Sequence, residues 1–185
     1  DDELKYCHTH TVFESIAHIF RGDAGAEQKG TRYFKDHIDF RDFIVYLEME
    51  PHLKEVLTVL RNRGIHTAIS TNRTTSMRHI MSRYGLWDFF DIVVTAAHQA
   101  RSDRDEPDDR EILQARSKPD PEGVGKILHA LGVGPEATLY IGDSEVDMGT
   151  ARSAGVRFIA YKNSTMPADA VINDHLALLD LLSGR

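Results

Sequence analysis

Cysteine is nearly absent: Cys7 is the only one in 185 residues. No intramolecular disulfide can form, and a reducing, cytoplasmic setting is expected. No apolar run approaches the roughly 18 residues that a membrane span requires. No basic start followed by an apolar stretch opens the sequence, so a secretory leader is not expected either. Positive charge is in short supply, with 22 Lys and Arg against 29 Asp and Glu and a net charge of −7. Nucleic acid and anionic membranes are therefore disfavoured as main partners, because both demand a basic face. Internal repeats and low-complexity segments are missing as well. So is an initiator Met: the sequence opens at Asp1 on Asp-Asp-Glu-Leu-Lys, which reads like the start of a helix.

What is present is ordinary for a globular protein: 41% hydrophobic and 28% charged residues, enough chain for one domain with a small appendage. Residues 1–48 read as helical. Val12, Ile16, Ile19 and Phe20 recur at helical spacing within a helix expected over 2–21, Gly22 to Gly25 break it, and a second helix is expected over 31–49. Pro51 suits the first turn of a helix that Gly64 closes.

From there the rhythm becomes strand, loop, helix. Strands are expected at 66–70, 91–96, 138–141 and 157–161, with a short edge strand at 171–172. Helices at 74–84, 120–131 and 145–154 end at Gly85, Gly132 and Gly155, and a last helix covers 175–182. Strands alternating with helices of this length predict an α/β fold, a doubly wound parallel sheet over residues 49–185. The charged stretch at 97–117, with Asp103-Arg-Asp-Glu-Pro-Asp-Asp-Arg-Glu111 inside it, reads as a solvated surface insertion with a helical turn near Ile112 and Leu113.

Ligands of open α/β sheets bind outside the carboxyl ends of the strands. The residues that follow the strands are Thr71 and Asn72, then Lys118-Pro-Asp-Pro121 beyond the insertion, then Gly142-Asp143-Ser-Glu-Val-Asp147. Singly, each has a bland reading. Thr71 and Asn72 serve as a helix cap, Lys118 is an exposed lysine, Asp143 is a cap and Asp147 a first-turn acid. Together they specify more. Two carboxylates four residues apart across a Gly-containing turn can converge on one hard cation with waters between, as Mg²⁺ prefers. A lysine and a hydroxyl opposite them suit a phosphoryl group.

These runs, with Ala151 and Ala154-Gly155 after them, resemble the haloacid dehalogenase superfamily. The likeness is to its phosphoglycolate phosphatase-like branch with a small helical cap, over residues 51–161, and residues 1–48 are similar in character to that cap. The resemblance implies a Rossmann-like core and hydrolysis of a small phosphorylated metabolite through an aspartyl-phosphate with Mg²⁺. It implies that Thr71 hydrogen-bonds the transferring phosphoryl group, that Asn72 adds a phosphate contact, and that Lys118 neutralises charge on nucleophile and phosphate. It further implies that Asp143 ligates the metal and that Asp147 supports the metal or the lysine. The acidic pair favours a metal-dependent phosphatase over a dehalogenase.

The pattern is incomplete. Such proteins also carry Asp-x-Asp-x-Thr after an apolar strand, with the nucleophile first and the general acid and base second. Asp36/Asp39, Asp88/Asp91 and Asp103/Asp105 follow no such strand, and no residue matches the nucleophile. In the superfamily that strand lies mid-sheet, so an N-terminal segment carrying it is expected to precede Asp1. Were the chain complete, the strands at 66–70 and 138–142 would pair directly and the protein would lack activity. Two alternatives stand: a catalytically inactive phosphate- or partner-binding protein of this fold, and a phosphomutase. Oligomeric state is not readable. Cys7, His8 and His10 do not form a tetrahedral metal site; His10 or Phe13 could touch substrate from the cap. Gly132-Val-Gly-Pro-Glu-Ala137 precedes a strand and is a turn, not a dinucleotide fingerprint. Trp87 and Phe89-Phe90 are expected to pack.

Overall fold

The computed structural model describes residues 2–9, 12–74, 76–97 and 110–184, except for the side chains of residues 5, 8 and 9. His10, Asp103 and Asp105 thus lie outside the described residues, as does most of the charged insertion. Two compact units are present, residues 1–45 and 46–185.

The first unit is helical: α1 (Asp2–Thr9), α2 (Val12–Ile19) and α3 (Ala24–His37), followed by a 3₁₀ segment, Phe40–Tyr46. Asp23 caps α3 by accepting from the Ala26 amide at 2.9 Å. At Gly30 the helices come so close that a Cβ would lie 2.9 Å from the Phe20 ring. Phe13 meets Phe34 edge to face, with ring centroids 5.8 Å apart. The expected second helix is shorter than the pattern suggested. Ile38 turns extended, and the Asp39 carboxylate accepts from the Arg41 amide at 2.9 Å, a local bond that competes with helix continuation.

Among its described residues the second unit carries six strands: β1 (Ala68–Thr71), β2 (Ile92–Ala96), β3 (Leu113–Ala115), β4 (Leu139–Gly142), β5 (Arg157–Tyr161) and β6 (Ala170–Ile172). Helices α4 (Leu53–Asn62), α5 (Met77–Arg83), α6 (Glu122–Leu131), α7 (Glu145–Ser153) and α8 (Leu176–Leu182) alternate with them. All pairing among the described residues is parallel, with α5 crossing from β1 to β2 and α7 from β4 to β5. The α/β architecture expected from the alternation is therefore present. The helical turn expected near Leu113 is instead β3, which adds to β2 in register with Leu113 opposite Val94.

The strands form two trios, β1-β2-β3 and β4-β5-β6. Direct pairing of β1 with β4, one of the expectations, does not occur: each is the end strand of its own trio. Burial follows this division. The middle strands β2 and β5 are buried along most of their length, whereas every residue of β1 and β4 is only half-buried. One cluster built on Val94, Ala115 and Ile127 fixes α6 on the first trio, and one of Ala151, Phe158, Ala160 and Met166 fixes α7 on the second.

Among the described residues two non-glycines adopt left-handed backbone, His52 and Lys162. His52 precedes α4, so that helix starts at Leu53 rather than at Pro51. Both are tied by side-chain pairs, His52 Nδ1 to Asp174 Oδ2 at 2.8 Å and Lys162 Nζ to Glu50 Oε2 at 2.6 Å.

Candidate active site

The carboxyl ends of β1, β3 and β4 deliver the residues singled out in the sequence. Thr71 is the last residue of β1, and its Oγ1 accepts the Arg73 amide at 3.1 Å. With that lone pair occupied, the hydroxyl proton remains available to an oxygen of a ligand. Asn72 holds the next loop. Its Oδ1 accepts the Lys118 amide at 2.7 Å and its Nδ2 donates to the Lys118 carbonyl at 3.3 Å. One amide hydrogen of Asn72 is left over for another acceptor. The strand β3 brings the chain to this clamp three residues after Ala115.

Lys118 Nζ then reaches Asp147 Oδ1 at 2.5 Å, and both side chains are largely buried, at 16% and 8% exposure. Asp147 sits in the first turn of α7, which Ser144 caps by accepting the Asp147 amide at 3.2 Å. Three side chains donate to the carboxylate. Lys118 and Tyr140 (3.1 Å) share Oδ1, and the Ser144 hydroxyl reaches Oδ2 at 2.6 Å. Burial works against the charged form of Asp147, but the Lys118 charge and these hydrogen bonds outweigh it, and the carboxyl lies below its ordinary range. Burial first, and the Asp147 charge second, push the Tyr140 phenol upward, so it stays a donor at neutral pH. Gly142 is obligatory beneath this arrangement: a Cβ there would lie 2.4 Å from that of Asp147.

Asp143 differs from Asp147 in kind. It is exposed, and among the described residues its carboxylate has no hydrogen-bond or ion-pair partner, while its carbonyl accepts from Asn163 Nδ2 at 3.1 Å. No three His, Cys, Asp or Glu side chains gather into a metal cage among the described residues. Mg²⁺ does not demand one: it is commonly held by one or two carboxylates, its own waters and substrate phosphate. A free carboxylate at the end of β4 fits that requirement, whereas both Asp147 oxygens are already engaged.

The expected residues are thus brought to one rim: Asn72 to Lys118 and Lys118 to Asp147 by direct bonds, with Thr71 and Asp143 beside them in sequence. Tyr140, Ser144 and Asn163 were not foreseen. Ser144 was legible as the serine three residues before an acid that opens a helix. Tyr140 was the only polar tip in an otherwise aliphatic strand. Nothing marked Asn163.

Two parallel three-stranded sheets thus present a hydroxyl, an amide, a buried lysine–aspartate pair and a free carboxylate at their carboxyl ends, the place where ligands of open α/β sheets bind. The family follows from comparison: residues 14–161 match the haloacid dehalogenase-like hydrolase family, and the chain belongs to it. A protein of Caldanaerobacter subterraneus provisionally named pyrophosphatase PpaX is 32% identical over 148 residues, which are 75% of this chain and 60% of the relative. A phosphoglycolate phosphatase of Cereibacter sphaeroides is 31% identical over 140 residues, 71% of this chain and 56% of the relative. The chain therefore spans under two thirds of the length of these curated relatives. Among solved structures, a HAD-superfamily hydrolase of Geobacter sulfurreducens superposes with a TM-score of 0.70 at 32% identity, covering 98% of this chain and 78% of that one. A β-phosphoglucomutase of Clostridium difficile shares the fold, with a TM-score of 0.72 at 14% identity over 99% of this chain and 80% of that one. Among the described residues no helix is long and apolar enough to cross a membrane.

Proposed function

We propose that the protein is a Mg²⁺-dependent phosphatase of a small phosphate monoester, acting through an aspartyl-phosphate. The observation that carries this reading is Lys118, an amine gripped by Asn72 through its backbone and by Asp147 through its side chain. A phosphoryl group set against it meets a fixed positive charge, the Thr71 hydroxyl and the spare Asn72 amide hydrogen, all pre-oriented where negative charge must be held. Asp143 is the residue to hold Mg²⁺, which when bound supplies further positive charge to the phosphoryl oxygens. Asp147 supports the site through Lys118.

The attacking carboxylate is not among the 185 residues. This reading places it on a strand seated between the partnerless edges of β1 and β4, supplied from outside these residues. Its oxygen bonds to phosphorus as the ester oxygen leaves with the bonding electrons and takes a proton. Water then adds to phosphorus, the carboxylate departs, and inorganic phosphate is released. The phosphoglycolate phosphatase relatives make a small phosphorylated acid the first substrate to try.

The test is phosphate release from an aryl phosphate and from phosphorylated acids by the protein that carries this chain, with and without a chelator. Turnover that requires Mg²⁺ and falls by at least about a hundredfold in Lys118→Ala is expected. Turnover indifferent to both overturns the reading. The second reading, a phosphate-binding module without chemistry, would bind phosphate yet release none from any ester.

A further inference from the structure

We propose that Tyr140 is a positioning residue that sets the phosphate affinity of Lys118 by fixing Asp147; this rests on the phosphate-site reading above. Lysine is a poor instrument for a fixed site, because its charge rides on four rotatable bonds. Something rigid must reference it to the sheet. The chain of bonds supplies this. Lys118 Nζ and the Tyr140 hydroxyl both donate to the same oxygen, Asp147 Oδ1, at 2.5 and 3.1 Å. Tyr140 carries its hydroxyl on a rigid ring positioned by only two side-chain torsions, and it lies within β4, paired residue for residue with β5 and opposite Phe158.

Its ring cannot wander. It packs against the buried cluster of Ala151, Phe158, Ala160 and Met166, with the Phe158 ring centroid 6.4 Å away. The hydroxyl has one hydrogen-bond partner among the described residues, Asp147 Oδ1. The Tyr140 oxygen is therefore located by the packed β4-β5 pair and α7. Ser144 pins the second oxygen of Asp147 from the helix, so the plane of the carboxylate is defined by two anchors that belong to different elements. Deleting the phenolic oxygen leaves Oδ1 with the flexible lysine alone. Asp147 and Lys118 would then move together, and the ammonium would sample positions unsuited to a phosphoryl group.

The test is a double-mutant cycle on the protein that carries this chain, titrating inorganic phosphate in the presence of Mg²⁺ by calorimetry. Tyr140→Phe keeps the ring and its packing, and circular dichroism with thermal melting confirms the fold. The rise in melting temperature with added phosphate gives a second readout of affinity. Tyr140→Phe is expected to weaken phosphate binding about tenfold, as loss of one hydrogen bond to a charged group does. In the Lys118→Ala background the same change is expected to cost nothing further, because the group being positioned is gone. A merely structural tyrosine would instead weaken binding equally in both backgrounds, and that additive result overturns the proposal, as does unchanged affinity in the single variant. If Lys118→Ala itself leaves phosphate binding intact, the phosphate-site reading fails, and this proposal with it.

Discussion

Asp147 concentrates the energetics of the site in one side chain. It is a carboxylate with 8% of its side chain exposed, kept charged by three donating side chains, Lys118, Tyr140 and Ser144. A buried charge whose partner is removed costs about 3–5 kcal/mol, so the pair is easily broken from either side. The carboxyl lies below its ordinary value of 3.8 in the folded state. A depressed acid contributes stability that is fully present above the unfolded pKa and is lost as pH falls through the folded one. Melting temperature should therefore decline as pH drops below about 4. Asp147→Asn should melt lower at neutral pH by several degrees and lose part of that acid dependence. Thermal melts of both proteins across pH 2.5–7 check this; parallel curves would contradict it. The same residue shows how much of the site was legible. Lys118, Asp143 and Asp147 stand out in sequence because Gly-Asp-x-x-x-Asp and Lys-Pro follow strands. Which carboxylate would serve the lysine and which would stay free was not legible, since that depends on helix-turn geometry and on the tyrosine one strand position away from the turn.

At the scale of elements, β3 is the instructive case. Three residues, Leu113–Ala115, lie at the end of a charged stretch that reads as solvated insertion, too short for any period to show. They become a strand because β2 offers a parallel edge and because Ala115, 4% exposed, drops between Val94 and α6. The helix lies in direct contact there: a Cβ added at Gly123 would sit at van der Waals distance, 3.6 Å, from the Ala115 Cβ. Strand β5, in contrast, was readable to both its ends, five residues of β-forming character bounded by Gly155 and a left-handed Lys162. Helices were readable in place but not in extent, because local bonds such as Asp39 to Arg41 end them sooner than periodicity suggests. Enlarging the seat of β3 tests its role. Ala115→Leu should destabilise the unit by about 1–3 kcal/mol through overpacking. Because β3 leads directly into Lys118, phosphate affinity should fall in the same variant. Chemical denaturation together with phosphate titration measures both, and a fully stable variant would show that α6 does not press on this strand.

For the second unit taken whole, the defining feature is that its six strands do not make one ladder. Each trio has a buried middle strand and its own helix-packed cluster, and the two trios are tied at the carboxyl rim by Lys118 and Asp147. In a parallel sheet the amides of a strand alternate between its two neighbours, so about half the amides of an end strand have no strand carbonyl opposite. This translates into time. Amide hydrogens of β2 and β5 should exchange with deuterated solvent slowly and uniformly. Those of β1 and β4 should split into a slow set, bonded to the neighbouring strand, and a fast set on the partnerless edge. Residue-resolved hydrogen exchange by NMR reads the pattern directly, and uniform protection across all four strands would mean that these edges are bonded after all. If a further strand does fill the space between the trios, its arrival would be visible without any enzymatic assay, as a step in the exchange clock of alternate residues in β1 and β4.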